Sequence, residues 1–449
     1  MGDPAMLAVL HGACTPLAED PNFDAVLEQI GDASLVLLGE ATHGTHEFYR
    51  HRAAISKRLI AEKGFDAIAV EADWPDALCI DRHVRLRSPS ARDADEEAGA
   101  HQALTSFQRF PRWMWRNKET LELVRWLHHH NAARADHSKR AGFYGLDLYS
   151  LQRSMDAVVH YLERVDPEAA RRARARYSCF DHMAEDPQRY GYAATFGLRG
   201  DCEDQVVEQL RQLAERDRRM LAPHDADEAF FAEQNARVAR DAEAYYRAMF
   251  QGRNTSWNLR DTHMADTLSA LREHIALHKG RPGRIIVWAH NSHIGDARRT
   301  EMGEDGQLNL GQLVRERFGD ASYLLGFTTH TGTVCAASEW DGPVEKKRVQ
   351  PSRQDSVEHV LHACGLGDIF LPVRALRERR EVKLGGRLER AIGVIYLPHS
   401  ERISHYFHAD PARQFDGIVH VDSSHAVTPL DPMEPAIETH EPETFPSGI

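Results

Sequence analysis

Short apolar runs, each ending in polar residues, recur along this 449-residue chain and constrain its fold more than any other feature. Most are rich in β-branched residues, and continuous apolar runs of this length fit strands that are buried on both faces. Helical patterns lie between several of them, so the sequence predicts an α/β fold with a mainly parallel central sheet flanked by helices. The runs are Ser34–Leu38, Ala67–Val70, Gly142–Leu146, Ile285–Trp288, Ser322–Phe327, Ala391–Tyr396 and Gly417–Val421.

Segments with different patterns follow one another along the chain. Residues 1–150 and residues 281–430 carry the apolar runs and are predicted to form two α/β halves. Residues 151–280 have little strand signal but much Ala, Arg, Glu and Leu, which predicts a mostly helical segment between the halves. The acidic stretch Ser88–Ala100 is predicted to be a surface loop, and the proline-containing tail at residues 431–449 is predicted to be loosely ordered.

The composition excludes several classes of protein. The chain has 55 Lys and Arg against 68 Asp and Glu, a formal net charge of −13, whereas nucleic-acid binders need positive charge to release counterions from phosphates. No apolar run approaches the ~20 residues of a membrane helix, and the first residues lack the basic start of a signal peptide. The six cysteines form no CxxC pair and are expected to be reduced thiols. We therefore expect a cytoplasmic protein that binds neither nucleic acid nor membranes.

Ionisable residues directly follow several of the apolar runs. The carboxyl ends of parallel strands meet at one edge of a sheet, and ligands bind there, so we expect these side chains to converge on one site. Each residue alone has a structural alternative: Glu40 could cap the next helix, and His43 could be an ordinary turn histidine. The residues are Glu40 and His43 after the first run, Glu71 after the second, Asp147 after the third, and His290 and His293 after the fourth.

An arginine interrupts the apolar face of the helix predicted for residues 45–63. The spacing of that face places Arg52 beside apolar neighbours, and a charge in such a position must be paired or must meet a ligand. The alternatives are an ion pair with Glu40 or Glu71 and a direct role at the site. Gly64 is predicted to end the helix. The residues of the inward face are Phe48, Arg52, Ile55 and Leu59.

Several standard sites are absent from the sequence. There is no G-x-S-x-G elbow, no P-loop and no G-x-G-x-x-G motif. The segment His46–His51 has one residue too many for a zinc-binding HExxH, and adjacent histidines at 128–130 would point apart on a helix. What remains is two glutamates, an arginine and two or three histidines, which suits hydrolysis by a water that a neutral imidazole activates.

These residues lie in motifs that resemble those of the erythromycin esterase family. The resemblance covers about residues 25–430, and it is closer to bacterial relatives that are not tied to antibiotic resistance than to the resistance enzymes. It implies a mixed, mainly parallel core, a helical portion over the cleft, and ester hydrolysis, in the named members the opening of a macrolide lactone. The motifs are Gly39–Gly44, Glu71–Trp74, Phe110–Asn117, Ser256–Asp261, Trp288–His293, Ser338–Pro343 and His405–His408.

The resemblance also implies roles for individual residues. His43 matches the general base for water. The implied cleft further contains Asp147, Arg260 and Asp261, and a bulky apolar ligand would suit three tryptophans that could equally belong to the core: Trp113, Trp115 and Trp257. The other residues that match the catalytic set are Glu40, Arg52, Glu71, His290 and His293.

Two other readings stay open. No cofactor is expected, but a divalent metal is possible, because imidazole and carboxylate groups are suitable ligands. The positive charge of Arg52 would oppose such an ion, which favours the metal-free site. The second reading is a binding or biosynthetic accessory protein with a degenerate site. The expected partner is a small-molecule ester, bound by a monomer or a homodimer. The possible metal ligands are His43, His290, His293, Glu40 and Glu71.

Overall fold

The computed structural model describes residues 4–87, 96–180, 187–197, 200–217 and 223–432. Within them a nine-stranded sheet forms the centre of the molecule, and β9 and β10 make a separate two-stranded ribbon. The strands are β1 (Thr15–Pro16), β2 (Leu35–Leu38), β3 (Ala67–Asp73), β4 (Gly142–Asp147), β5 (Ile285–Trp288), β6 (Ser322–Ala336), β7 (Glu345–Val349), β8 (Ile369–Leu371), β9 (Arg387–Arg390), β10 (Tyr406–Ala409) and β11 (Gly417–Ser424).

Six neighbouring strands of the sheet are parallel. Their order is β11-β6-β2-β5-β3-β4, and β8 and β1 extend the β11 edge with antiparallel pairings. β7 folds back antiparallel onto the far end of β6. The predicted α/β fold with a mainly parallel central sheet is therefore confirmed.

Helices cover both faces of this sheet. Alternate residues of β2 point to opposite faces, so Val36 and Leu38 enter one hydrophobic core while Leu35 and Leu37 enter the other. None of the described helices is long and apolar enough to cross a membrane. In the two halves the helices are α1 (Pro4–Ala13), α2 (Asp24–Ile30), α3 (His46–Lys63), α4 (Trp74–Val84), α5 (Glu96–Leu104), α6 (Lys118–Ala132), α13 (Asn291–Ile294), α14 (Glu301–Glu304), α15 (Leu310–Phe318), α16 (Val357–His362), α17 (Glu401–Ser404) and α18 (Pro411–Gln414).

Between β4 and β5 the described residues form helices joined by short turns, which agrees with the predicted helical portion. It has a hydrophobic core of its own, built from α7 to α11, and α12 returns from it to pack on the sheet. Residues of α11 and α12 reach the carboxyl edge of the sheet, so this helical portion covers the cleft there. The helices are α7 (Leu151–Val165), α8 (Pro167–Tyr177), α9 (Pro187–Thr195), α10 (Glu203–Asp217), α11 (Pro223–Ala248) and α12 (Arg253–Lys279).

Helix α3 has the predicted ends and the predicted inward face. It begins after Thr45 and ends at Gly64, whose left-handed backbone (φ 65°) is the conformation that glycine adopts without strain. All four predicted inward residues, including Arg52, are fully buried.

Three sequence predictions were wrong. Ala391–Tyr396 is buried but is not a strand, because it lies across the sheet edge and makes only isolated bridges, through Ile392 and Ile395. Cys179 and Cys202 form a disulfide that joins the end of α8 to the start of α10, so these two cysteines are not reduced thiols. In the predicted loop Ser88–Ala100, residues 96–100 belong to α5, and residues 88–95 lie outside the described residues. The predicted tail likewise lies almost entirely outside them, from residue 433 onward.

Close packing against Gly44 gives a test of the strand-end geometry. A Cβ at this position would lie 2.0 Å from the Cys335 carbonyl oxygen, which is backbone of β6 and cannot rotate away. Gly44→Ala should therefore lower the free energy of unfolding by ~1–3 kcal/mol or more, measured by urea denaturation. Gly12→Ala is the control, because Gly12 lies in α1 with no atom near its Cβ position, and alanine there should stabilise by roughly 0.5–1 kcal/mol. Equal stability of the two variants would contradict this packing.

Candidate active site

Four neighbouring parallel strands, β2, β5, β3 and β4, deliver ionisable side chains to one cavity at their carboxyl ends. The cavity encloses about 1080 Å³, including its open mouth. The structure thus brings together the predicted residues that follow different strands. Eight predicted residues line the cavity: His43, Glu71, Trp115, Asp147, Trp257, Arg260, His290 and His293. The other four predicted residues lie behind its wall: Glu40, Arg52, Trp113 and Asp261.

A buried chain of contacts joins His43 to helix α3. Glu40 Oε1 lies 3.0 Å from His43 Nδ1, and its other oxygen, Oε2, accepts a hydrogen bond of 2.6 Å from Arg52 Nη2. The Arg52 guanidinium also lies 4.6 Å from the ring centres of both Tyr49 and Trp288. Of the alternatives for Arg52, the ion pair with Glu40 is therefore the one present. Arg52 contacts the carboxylate that holds His43 and does not reach the cavity.

A second ionic cluster lines the cavity, around Arg260 of α12. Arg260 binds Asp147 through Nε (3.0 Å) and Nη2 (2.6 Å), and Nη2 also donates to Glu71 Oε1 at 2.8 Å. His293 lies between Glu71, 3.3 Å from Nε2, and Asp261, 2.9 Å from Nδ1. Strands β3 and β4, helix α12 and the turn after β5 thus share one network.

Charge in this cluster shifts the pKa of its members. Burial alone would lower the pKa of His293, but Asp261 and Glu71 outweigh it and raise the pKa to about 9, despite Arg260 Nη1 at 3.2 Å from Nε2. Burial would raise the pKa of the Glu71 carboxyl, but His293 and Arg260 hold it well below its usual range. His293 is therefore an imidazolium at neutral pH, and its ring is stacked on Trp257 at 4.6 Å.

His290 is uncharged, in contrast to His293. Burial lowers its pKa to about 3, and His43, whose ring centre is 5.0 Å away, adds to the effect. The Ser292 amide donates to His290 Nδ1 at 3.2 Å, which leaves the ring proton on Nε2. The backbone N–H of His290 donates to Glu71 Oε2 at 2.8 Å, so this histidine is tied to the second strand end.

Sequence reasoning missed several residues of the cavity wall. Asp73 and Asp76 line it beside the predicted Glu71, and Arg109 Nε binds Asp73 at 3.1 Å. Burial and the neighbouring Asp73 raise the pKa of Asp76 to about 7. Asp73 belongs to the Glu71–Trp74 motif, so the sequence already contained a signal for it. Gly393 also lines the wall, and no signal pointed to it because its segment was predicted to be a strand.

The possible metal ligands fit a metal-free network better than a metal centre. Both oxygens of Glu40 and both oxygens of Glu71 are engaged with arginines, histidines or a backbone N–H. No three of the five named side chains, all of which the structure describes, bring donor atoms within 4.8 Å of one another. Metal-free catalysis nevertheless stays a prediction.

Solved structures share this fold. A succinoglycan biosynthesis protein matches with a TM-score of 0.75 and 20% identity, over 94% of this chain and 97% of that chain. A mutant of the erythromycin esterase EreC, solved in its open conformation, matches with a TM-score of 0.62 and 17% identity, over 91% of this chain and 95% of that one.

Related sequences point to the same group. Erythromycin esterase type II from Escherichia coli is 23% identical over 444 residues, which covers 90% of this chain and 94% of that protein. The putative hydrolase YbfO from Bacillus subtilis (strain 168) is 23% identical over 75% of this chain and 73% of its own length. The erythromycin esterase family model matches residues 60–424, most of the chain, and the protein belongs to this family.

Proposed function

We propose that this protein hydrolyses a carboxylic ester with a water molecule that His43 activates. The contact between Glu40 Oε1 and His43 Nδ1 carries the proposal. A carboxylate can only accept there, so Nδ1 holds the ring proton and Nε2 keeps its lone pair. That lone pair can take a proton from water while the water oxygen attacks the ester carbonyl carbon.

Other residues of the cavity wall supply what the developing oxyanion needs. As the water oxygen bonds to the carbonyl carbon, the π electrons move to the carbonyl oxygen and make it negative. Arg260 and the His293 imidazolium carry positive charge on the cavity wall, and neutral His290 has a proton on Nε2. Fixed donors and charges of this kind stabilise a tetrahedral intermediate without reorganising water.

Collapse of the intermediate completes the reaction. The ester C–O bond breaks, and the proton held on His43 Nε2 passes to the departing alkoxide. The products are a carboxylic acid and an alcohol, and His43 returns to its starting state. Glu40 stabilises the transient imidazolium, and Arg52 fixes Glu40 in turn, so Arg52 acts as a positioning residue.

The cavity wall favours an ester with a bulky apolar portion. Aromatic side chains from the motifs Phe110–Asn117, Ser256–Asp261 and Ser338–Pro343 face it, together with Tyr149 and Tyr245 from the helical portion. Large aromatic surfaces bury apolar ligand area and hold it in few orientations. A macrolide lactone is one such ester, and we propose the class rather than that one compound. The aromatic residues of the motifs are Phe110, Trp115, Trp257 and Trp340.

Removal of the base tests the proposal directly. His43→Ala should lower kcat for an aryl ester by ~10²–10⁴, the usual contribution of a proton-transfer group. The thermal unfolding midpoint should stay near that of the wild type, because His43 lies at the cavity wall. His129→Ala, at an exposed position of α6, is the matched control and should keep full activity. Full turnover by a folded His43→Ala protein would exclude His43 as the base.

The charge on His293 predicts an alkaline limit to activity. A histidine with a pKa of about 9 is charged below that pH and loses its positive charge as the pH rises through it. We therefore expect kcat to fall above about pH 9, in a rate profile measured with a neutral aryl ester. His293→Gln removes this positive charge and should lower kcat by ~10²–10³, the usual cost of losing one oxyanion-stabilising group. The variant should also lose the fall in kcat above about pH 9. If kcat of His293→Gln still falls above about pH 9 as it does in the wild type, the fall is not caused by His293.

Catalysis is expected to need no metal ion, since the carboxylates that would bind one are already paired. Ester hydrolysis should be unchanged after exhaustive chelation, and added zinc or manganese should not increase it. Activity that is lost on chelation and restored in proportion to bound metal would show that the enzyme is a metallohydrolase.

A further inference from the structure

A second group of ionisable side chains lies between helices α11 and α12, away from the candidate active site. His274 and His278 stand one helical turn apart on α12, so both rings lie on the same face. Asp227 of α11 faces them, with Oδ1 at 2.8 Å from His274 Nε2 and 3.5 Å from His278 Nε2. Within the described residues these three side chains bring their donor atoms within 4.8 Å of one another.

We propose that Asp227, His274 and His278 bind a divalent transition-metal ion, and we take zinc as the ion to test. Two imidazole nitrogens and one carboxylate oxygen suit zinc, nickel, cobalt and copper, whereas magnesium and calcium prefer oxygen ligands alone. The ion would take the place of the proton that now lies between Asp227 and His274. Three protein ligands leave at least one position for water, so the site is an exchangeable one.

Neighbouring residues already fix the orientation of the donors. The ring of Phe230 stacks on His274 at 4.0 Å and nearly parallel, which holds that imidazole in one plane. Asp227 Oδ2 pairs with Arg87 and lies 3.8 Å from Arg85, so Oδ1 is the oxygen left for the ion. Groups that hold metal ligands from behind in this way are common in metal sites. The positive charge of the two arginines opposes the ion, so we expect micromolar rather than nanomolar affinity.

The position of the group indicates a structural role. His274 lies fourteen positions after Arg260 in α12, which at a rise of 1.5 Å per residue is roughly 21 Å along the helix. Lys279, just beyond His278, pairs with Asp66 immediately before β3, so this end of α12 lies at the amino edge of the sheet. An ion here would fasten the first turns of α11 to α12 and would leave the chemistry at the carboxyl edge unchanged.

Zinc binding by the untagged full chain tests the proposal. After exhaustive chelation, calorimetric titration with zinc should show that the wild type binds one ion per chain. The same titration should show no such binding by His278→Gln. The ion should also raise the thermal unfolding midpoint of the wild type, as any ligand of the folded state does. Cobalt should give a visible absorption band with the wild type and none with His278→Gln. Because the His278 side chain is 37% exposed, this variant should fold and keep full esterase activity.

Two further variants identify the site. His129→Gln removes an exposed histidine from α6 and should bind zinc as the wild type does. His43→Ala should also keep the ion, which separates this site from any metal bound in the catalytic cavity. The proposal is overturned if the wild type binds no zinc, if His278→Gln binds zinc with unchanged affinity, or if His43→Ala loses the ion. None of these results depends on whether the protein hydrolyses esters.

Discussion

The buried ion pair between Glu40 and Arg52 is the interaction on which the geometry of the candidate active site depends. Both side chains are almost completely removed from solvent, and a charge in such a place is tolerated only when it is paired and hydrogen-bonded. The pair joins the end of β2 to the inner face of α3, and Glu40 then holds His43. Loss of Arg52 alone would leave a buried, uncompensated carboxylate. The placement of His43, the proposed base, and the packing of helix α3 are therefore one constraint.

Strand order explains how residues far apart in sequence meet. β5 forms between β2 and β3, so the turn that carries His290 and His293 lies between the loop of Glu40 and the end of β3. Close approach of the Gly39 backbone to a side chain makes this possible: a Cβ on Gly39 would lie 2.1 Å from Asn291 Oδ1. Hydrogen bonds to the Phe327 backbone hold the Asn291 side chain in place, so the contact favours glycine at position 39.

The sequence was sufficient to predict the elements that have a regular spacing of apolar residues and the site residues that directly follow a strand. The inner strands, helix α3 and the convergence of His43, Glu71, Asp147 and His290 all follow from such patterns. The errors arose where residues are buried for a reason other than membership of a strand or helix. Ala391–Tyr396 is apolar because it covers the sheet edge, and no period distinguishes that from a strand. The disulfide joins two cysteines that are 23 residues apart in the sequence. The spacing of the cysteines along the chain does not show which of them lie close together in the fold.

An uncharged histidine lies between two buried sets of charges, one behind the cavity wall and one lining the cavity. The Glu40–Arg52 pair is formally neutral and lies behind His43, while the cluster around Arg260 has two positive and three negative groups. His290 lies beside His43, and its lowered pKa keeps it neutral. A positive charge on His290 would repel the imidazolium that His43 becomes in the proposed reaction. A neutral His290 is therefore compatible with the proposed arrangement, in which a base and a cationic oxyanion site share one cavity.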